Sequence, residues 1–231
     1  MLNRVLRAGM AVLVLTGVSS MAACGERDRP EQPTASPAAD GVGLTQPQLE
    51  RAAVTKQDLP GYTVDAISTS VSAPSLPAKP AECQAIGDTL GMVSQYRPTA
   101  RLGRVVSKPG EGTAGLGLAA YRAGDAKKVM ADVRAGISTC VGKAFDDAGD
   151  PFRYEAVTAL PDPGKGDESV SFKLVQVVED SKARSEVSLV YVLVRSGSTV
   201  ATFRALGFGG RAAAVPADAV DAQVRKLAIA A

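Results

Sequence analysis

Residues 186–206, EVSLVYVLVRSGSTVATFRAL, decide the fold. The first part, 186–194, has apolar side chains at both the odd and the even positions, which predicts a strand that is covered on both faces. Ser196-Gly197 predicts a tight turn. The segment 199–206 then predicts a second strand that pairs back on the first, so we expect the centre of a sheet here.

Elements of both types surround this hairpin. Strands are predicted over 62–69, 102–107, 113–121, 152–159 and 169–178, and helices after Thr45, over 81–93, over 125–141 and after Pro216. Consecutive strands with short turns imply an antiparallel sheet whose face the helices cover. We therefore predict a single domain of the α+β class. Gly115 and Gly117 within one strand indicate that another element packs close to it.

The N-terminus has the pattern of an export signal. Arg4 and Arg7 precede an apolar run over 8–18, which is shorter than the roughly 20 residues that a membrane-spanning helix needs. Ser19-Ser20-Met21-Ala22-Ala23-Cys24 then resembles the lipobox of bacterial lipoproteins. The resemblance implies that residues 1–23 are removed and that Cys24 receives a diacylglyceryl group. The alternative is an ordinary cleaved signal with an incidental cysteine.

The next segment, 24–43, predicts a disordered stalk. It contains Pro30, Pro33 and Pro37 and almost no large apolar residue. The folded domain is then expected over 44–231. With two acyl chains on Cys24, the protein would be anchored to the extracytoplasmic face of the cell membrane.

Composition excludes several function classes. The whole chain has 26 Lys and Arg and 24 Asp and Glu, and Arg4 and Arg7 of the predicted signal account for this excess. The processed chain is therefore neutral, so a nucleic-acid partner is not expected. The chain contains no histidine. That excludes Ser-His-Asp and Cys-His nucleophile systems and histidine-ligated zinc. We expect no cofactor, no metal and no catalytic residues.

The two remaining cysteines lie on the apolar stripes of predicted helices. An exported protein folds in an oxidising compartment, so Cys83 and Cys140 are expected to form a disulfide once Cys24 is lipidated. The alternatives are two buried free thiols, or a catalytic thiol, which would lack a histidine to activate it.

A few charged groups are candidate contacts for a ligand. Arg101, Arg104 and Lys108 alternate with apolar residues near a strand and could meet an anionic group, although solvated strand ends also have this pattern. The acids Asp162, Asp167 and Glu168 precede a strand and are expected to form a solvated turn, as are Asp146, Asp147 and Asp150, which lack the spacing of a calcium loop.

Several short segments resemble a known family. They are Asp58-Leu59-Pro60-Gly61-Tyr62, Pro80-Ala81-Glu82-Cys83, and the helix that follows Tyr121-Arg122-Ala123-Gly124 and ends at Thr139-Cys140-Val141-Gly142. Over roughly 44–229 the chain resembles the PknH-type extracellular sensor domain of mycobacterial kinases and related actinobacterial lipoproteins. The resemblance implies an antiparallel sheet with helices against it and a ligand-binding cleft, and it implies no catalytic residues.

These observations predict a non-catalytic ligand-binding or sensor module on a lipid anchor. The partners would be the membrane and an unidentified small ligand or envelope protein. One alternative is a carrier for an apolar ligand such as a lipid, which a wide apolar cavity would favour over a shallow polar cleft. Another is a hydrolase that uses paired carboxylates.

Overall fold

A computed structural model describes residues 43–69, 74–110, 112–122, 124–147, 152–179, 184–208 and 213–230. The predicted signal over 1–23, Cys24 and the predicted stalk as far as residue 42 lie outside these ranges. Asp150 of the second acidic group also lies outside them. Among the described residues, no helix is long and apolar enough to cross a membrane.

The helices and strands follow the predicted order along the chain, with two short strands added. The helices are α1 (Gln46–Ala52), α2 (Gln84–Leu90), α3 (Asp125–Cys140) and α4 (Ala217–Ala230). The strands are β1 (Thr63–Ile67), β2 (Ala78–Lys79), β3 (Ala100–Lys108), β4 (Gly112–Ala120), β5 (Phe145–Asp147), β6 (Arg153–Leu160), β7 (Glu168–Glu179), β8 (Arg184–Ser196) and β9 (Thr199–Gly207).

The strands of the described chain form one antiparallel sheet in the order β1-β3-β4-β9-β8-β7-β6-β5-β2. The predicted hairpin is present, because Ser196 pairs with Thr199 across a two-residue turn. β8 occupies the middle position of the sheet. Its residues from Tyr191 to Arg195 are all buried, which agrees with a strand covered on both faces. The α+β class with an antiparallel sheet is therefore confirmed.

Helices cover both faces of this sheet. On one face, α1 and α4 pack against alternate residues of the central strands, such as Leu116, Val194 and Phe203. On the other face, α2 and α3 pack against the intervening set, such as Phe172, Tyr191 and Leu193. The predicted helical cover is therefore present, and it extends to both faces, as the two-sided apolar pattern of β8 requires.

A disulfide joins the two helices on the second face. Cys83 lies in the 3-10 turn (Ala81–Cys83) before α2, and Cys140 is the last residue of α3. The two residues are fully buried and bonded, with their Cα atoms 5.6 Å apart. The disulfide that was predicted as part of the fold is therefore confirmed.

The structure differs from the sequence-based predictions at a few element boundaries. The helix predicted over 81–93 is α-helical only over Gln84–Leu90, because the chain turns at Gly91 and Met92 has a φ of 53°. The helix predicted over 125–141 begins at Asp125, which Gly124 precedes with a φ of 84°, and ends at Cys140. β2 and β5 were not predicted, since neither is long enough to show a periodic pattern.

Candidate functional site

An open groove lies on the second face of the sheet, beside the strands on which α3 mainly packs. α3 packs over β6, β7 and β8, and the groove extends over β1, β3, β4 and β9 with a volume of about 630 Å³. That volume is in the range of about 300–1,000 Å³ that is usual for small-molecule sites. We call it the arginine groove. Its lining residues are Ile67, Thr69, Leu90, Gly91, Met92, Arg101, Val105, Thr113, Gly115, Arg204, Leu206 and Phe208.

Glycines on one side of β4 create this depression. Leu116 and Leu118 point into the core with α1 and α4, so Gly115 and Gly117 face the groove side, because successive strand residues point to opposite faces. A β-carbon on Gly117 would lie 2.8 Å from the Met92 sulfur. Met92 therefore packs directly on this glycine, which confirms that another element approaches the strand closely.

Two guanidinium groups meet at the turn after α2. Arg101 of β3 donates through Nη2 to the Gly91 carbonyl oxygen at 3.3 Å and also to the Met92 carbonyl oxygen. Arg204 of β9 donates through Nη1 to the Leu90 carbonyl oxygen at 3.4 Å. Because these carbonyls belong to consecutive residues, the two positive charges are held near one another.

Burial affects the electrostatics of this pair. It lowers the pKa of Arg101, and the nearby Tyr121 hydroxyl partly opposes this effect. Arg101 nevertheless keeps its positive charge, because an arginine is not deprotonated in a protein. The Arg204 Nε is buried and has no hydrogen-bond partner among the described residues. Among the described residues that line the groove, none is Asp or Glu. The described lining therefore carries the two positive charges of Arg101 and Arg204.

The far wall of the groove is apolar. Ile67, Leu206 and Phe208 have exposed fractions of 41%, 39% and 60%. They are three of the six large hydrophobic residues that are exposed in the described ranges, and all three line this groove. Exposed apolar side chains that cluster in this way mark interaction sites more often than isolated ones do.

The three predicted ligand contacts do not share a site. Arg101 lines the groove, whereas Arg104 and Lys108 lie on the opposite face of β3. Arg104 forms an ion pair with Glu50 of α1 at 2.6 Å, and the Lys108 Nζ lies 5.3 Å from the centre of the Tyr62 ring. Arg104 and Lys108 follow Arg101 by three and seven positions. Both differences are odd, so the strand period of two places Arg101 on the opposite side from the other two.

Arg204 is the site residue that the sequence did not indicate. In the sequence it is one polar residue within an apolar strand. It joins the groove because Arg204 pairs with Gly115, which in turn pairs with Val105, so one row of the sheet crosses β9, β4 and β3. The alternation within 199–206 places the Arg204 side chain on the sheet face opposite to that of Phe203. It was the only feature of the sequence that could have indicated the position of Arg204.

Two of the three acids near the start of β7, Asp167 and Glu168, form an ion-pair cluster and not a solvated turn. Glu168 accepts hydrogen bonds from Arg134 of α3 and from Arg195 of β8, and Asp167 accepts one from Arg195 at 2.7 Å. Arg195 is only 8% exposed. The sequence did not reveal this arrangement, because Arg134 and Arg195 reach these acids only through the folded sheet. Asp146 lies in β5, 3.7 Å from Arg153.

Burial and these partners act in opposite directions on Glu168. Burial alone would raise the pKa of its carboxyl, but the hydrogen bonds and charges of Arg134 and Arg195 outweigh it and keep the pKa below its ordinary value. Asp162 has a lowered pKa because the Ser169 hydroxyl and the Gly164 N–H donate to it. These carboxylates therefore hold elements together in the folded chain.

A second cleft, of about 440 Å³, lies between α2 and α3. Its acids are engaged with neighbours. Asp132 accepts a hydrogen bond from Gln95 Nε2 at 2.8 Å, and Asp88 accepts one from Gln84 Nε2 at 2.7 Å. No group of three or more potential metal ligands is found among the described residues.

The interior between helices and sheet is filled in the described ranges. The enclosed space beside Met92, Leu193 and Val200 measures about 20 Å³, which is enough for about one water molecule. The larger spaces are open to the surface. A lipid would therefore have to lie in a groove and not inside the core.

No protein-family profile and no curated protein matches the chain. Among solved structures, the extracellular domain of PknH from Mycobacterium tuberculosis is similar over 81% of this chain and 96% of that chain. The sequence identity is 15% and the TM-score is 0.49. At these values the similarity is a weak resemblance at the level of the fold, and no functional residue is transferred from it.

Proposed function

We propose that the protein is a non-catalytic ligand-binding module, held on the extracytoplasmic face of the membrane by a diacylglyceryl group on Cys24. The observation that carries the ligand-binding part is the arginine groove. It combines an accessible volume, two arginines at one turn and an apolar wall. A binding site needs this combination of apolar lining and few placed polar groups.

The location rests on the N-terminal sequence and on the disulfide. The basic, apolar and small-residue regions that end at Cys24 have the order of a lipoprotein signal. The bond between Cys83 and Cys140 supports folding in an oxidising compartment, because such bonds are rare where thiols are kept reduced.

The absence of a catalytic set supports a binding role over hydrolysis. Without histidine, a hydrolase would have to work with carboxylates, Lys, Tyr or Ser, and paired carboxylates are the form considered above. The acids nearest to such an arrangement, Asp167 and Glu168, are paired with Arg195 and lie away from the groove lining. The filled core also favours binding at the surface over a carrier that encloses an apolar ligand.

The anchor is tested by replacing Cys24. In the native host, Cys24→Ser should leave the protein unprocessed or released from the membrane fraction, and intact mass should lack the diacylglyceryl group. Ser19→Ala is the matched control, because it alters the same segment and keeps the cysteine. A Cys24→Ser protein with the mass and membrane fraction of the wild type would refute the anchor.

The binding role is tested by extraction. Wild-type protein purified from native membranes is extracted with organic solvent and compared by mass spectrometry with Gly115→Val, which fills the groove. A β-carbon at Gly115 would meet only Met92 Cε, at 3.4 Å, within 3.5 Å, so we expect this variant to fold. Thr158→Val on β6, three strands from β9, is the control. A small molecule should be recovered from the wild type and the control only. Equal recovery from Gly115→Val would exclude the groove as the site.

A further inference from the structure

We propose that the side chain of Met92 is a gate of the arginine groove, and that an apolar group of the ligand displaces it and takes its place. This gate rests on the ligand-binding function proposed above and adds how that site opens. The contacts of Met92, the spaces on either side of it and the hydrogen bonds of the surrounding turn support it.

The Met92 side chain covers the two glycines of β4 that face the groove. A β-carbon on Gly117 would lie 2.8 Å from the Met92 sulfur and 3.4 Å from Met92 Cβ. One on Gly115 would lie 3.4 Å from Met92 Cε. The side chain therefore runs along the strand from Gly117 towards Gly115, and it occupies the space that larger side chains of β4 would otherwise fill.

Two spaces meet at this side chain. Met92 lines the enclosed space of about 20 Å³ on one side and the open groove of about 630 Å³ on the other. Gly117 belongs to the lining of the enclosed space and Gly115 to that of the groove. Met92 itself is half-buried. Rotation of its side chain away from β4 would therefore join the two spaces into one deeper pocket.

Hydrogen bonds fix the backbone around Met92. Its N–H donates to the Thr89 carbonyl oxygen at 3.0 Å, and its carbonyl oxygen accepts a hydrogen bond from Arg101. Arg204 Nη1 donates to the Leu90 carbonyl oxygen in the same turn at 3.4 Å. A methionine side chain, in contrast, is unbranched, has three rotatable bonds and adapts to different shapes. We therefore expect the side chain to move while the turn stays in place.

The walls behind Met92 indicate which group can replace it. Val129, Leu193 and Val200 line the enclosed space, and all three are buried. A thin apolar group, such as an alkyl chain or the edge of an aromatic ring, would keep these walls away from water as Met92 does in the free protein. The ligand class is therefore a molecule that carries such a group.

The displacement is measured by NMR on the chain from residue 24 onward, which contains both core clusters. This chain carries Cys24→Ser and methyl-13C methionine, and its two methionines are Met92 and Met130. In the free protein we expect a nuclear Overhauser effect between the Met92 methyl and the Gly115 Hα. The neutral apolar probe N-phenyl-1-naphthylamine should bind saturably and abolish it. The Met130 methyl is fully buried and should stay in place.

Two results of this titration would overturn the gate. If the contact between the Met92 methyl and Gly115 survives at saturation, Met92 only lines the site. If the probe shows no saturable binding, the apolar class of ligand fails together with the gate.

A crosslink gives an independent test. The 3.4 Å between Met92 Cβ and a β-carbon at position 117 is close to the separation of about 3.5–4.5 Å that a disulfide bridges. Met92→Cys/Gly117→Cys should therefore hold residue 92 on the strand, which intact mass and thiol titration verify. Met92→Cys alone is the control, because it shortens the gate and leaves it free to move.

The crosslinked variant should bind the probe at least about tenfold more weakly than Met92→Cys, because its binding-competent state is no longer populated. Met92→Cys should bind at least as tightly as the wild type. An unchanged Met130 methyl signal shows that each variant has kept its core. Equal affinity of the crosslinked variant and Met92→Cys would refute the gate.

The extraction experiment distinguishes this gate from the broader function. A native ligand that is lost in Gly115→Val but recovered from the crosslinked variant would refute the gate and leave the groove as the binding site. Equal recovery from Gly115→Val would refute the site itself. Loss from both variants, with recovery from Met92→Cys, is the result that the gate predicts.

Discussion

Two glycines in the turn before β7 have the same backbone geometry and different surroundings. Gly164 and Gly166 both have a φ of 64°. A β-carbon on Gly166 would lie 2.4 Å from the Arg195 carbonyl oxygen, whereas one on Gly164 would meet nothing within 4 Å. The left-handed conformation costs an L-residue about 1–2 kcal/mol. Only Gly166 adds a clash with backbone to that cost.

We therefore expect Gly166→Ala to lower the free energy of unfolding by more than Gly164→Ala does. Gly164→Ala should cost about 1 kcal/mol, which is the conformational term alone, and Gly166→Ala about 3 kcal/mol or more. Urea denaturation of the two variants measures the difference. Equal losses would show that the turn moves to admit the methyl group.

The Glu168 carboxylate should make the free energy of unfolding depend on pH. Its folded pKa lies below the ordinary value of 4.5. The stability that it contributes is therefore present above about pH 4.5, and it is lost as the pH falls through the folded pKa. We expect Glu168→Gln to lose about 1–2 kcal/mol at pH 7, and to lose less than the wild type does between pH 7 and pH 3.

Urea denaturation at these two pH values checks this dependence. Glu186→Gln, which removes a carboxylate from an exposed position of β8, is the control at pH 7 and should cost little. If Glu168→Gln and the wild type show the same change in unfolding free energy between pH 7 and pH 3, the ion-pair cluster does not carry the acid dependence.

At the scale of elements, a buried glutamine joins α4 to the end of α1. Gln223 is fully buried. Its Oε1 accepts a hydrogen bond from the Val54 N–H at 3.0 Å, and its Nε2 donates to the Ala52 carbonyl oxygen at 2.8 Å. The Ala52 carbonyl lies at the C-terminal end of α1 and the Val54 N–H follows this helix, and neither group is paired within a strand. The side chain therefore replaces the bonds that secondary structure would otherwise supply.

Gln223→Leu should destabilise the domain by about 3 kcal/mol, because it leaves a buried donor and a buried acceptor unsatisfied. Gln57→Leu, at an exposed position in the turn after α1, should change stability by about 0.5 kcal/mol or less. Thermal and urea denaturation of both variants provide the measurement. A Gln223→Leu variant as stable as the control would contradict this role.

Most elements were predictable from the sequence, because their patterns are long and local. The apolar stripe over 125–141 and the two-sided strand over 186–194 each depend only on neighbouring residues. β2 and β5 were not predictable, since two or three residues form a strand only when a partner strand is already present. The groove depends on rows that join β3, β4 and β9, and spacing within one segment cannot show that Arg101 and Arg204 meet.

At the scale of the whole molecule, the disulfide closes a large part of the chain. Cys83 and Cys140 are 57 residues apart, and α2, β3, β4 and α3 lie between or at these ends. In the chain-entropy account, a loop of this size stabilises the folded state by about 4 kcal/mol. The bond therefore contributes a substantial share of a typical total of about 5–15 kcal/mol.

We expect Cys83→Ala/Cys140→Ala, made in Cys24→Ser, to lose about 4 kcal/mol in urea denaturation. Cys24→Ser alone is the control and should keep the stability of the domain. Thiol titration of the unreduced, denatured control should find no free thiol, and reduction should expose both. Two thiols in the unreduced protein would contradict the bond.

The pairing of β4 with β9 also has a consequence for the order of folding. β1, β3 and β4 can associate as soon as the first part of the chain is available, and β6 to β9 are joined by successive hairpins. In the sheet, the two groups pair along β4 and β9, from Ala114 with Ala205 to Ala120 with Thr199. Contacts between such distant residues form slowly. The edge of β4 that pairs with β9 therefore stays unpaired until β9, near the C-terminus, is available. Until then the N–H and C=O groups along this edge are unpaired, and Gly115 and Gly117 carry no charge that would prevent pairing with a strand of another molecule.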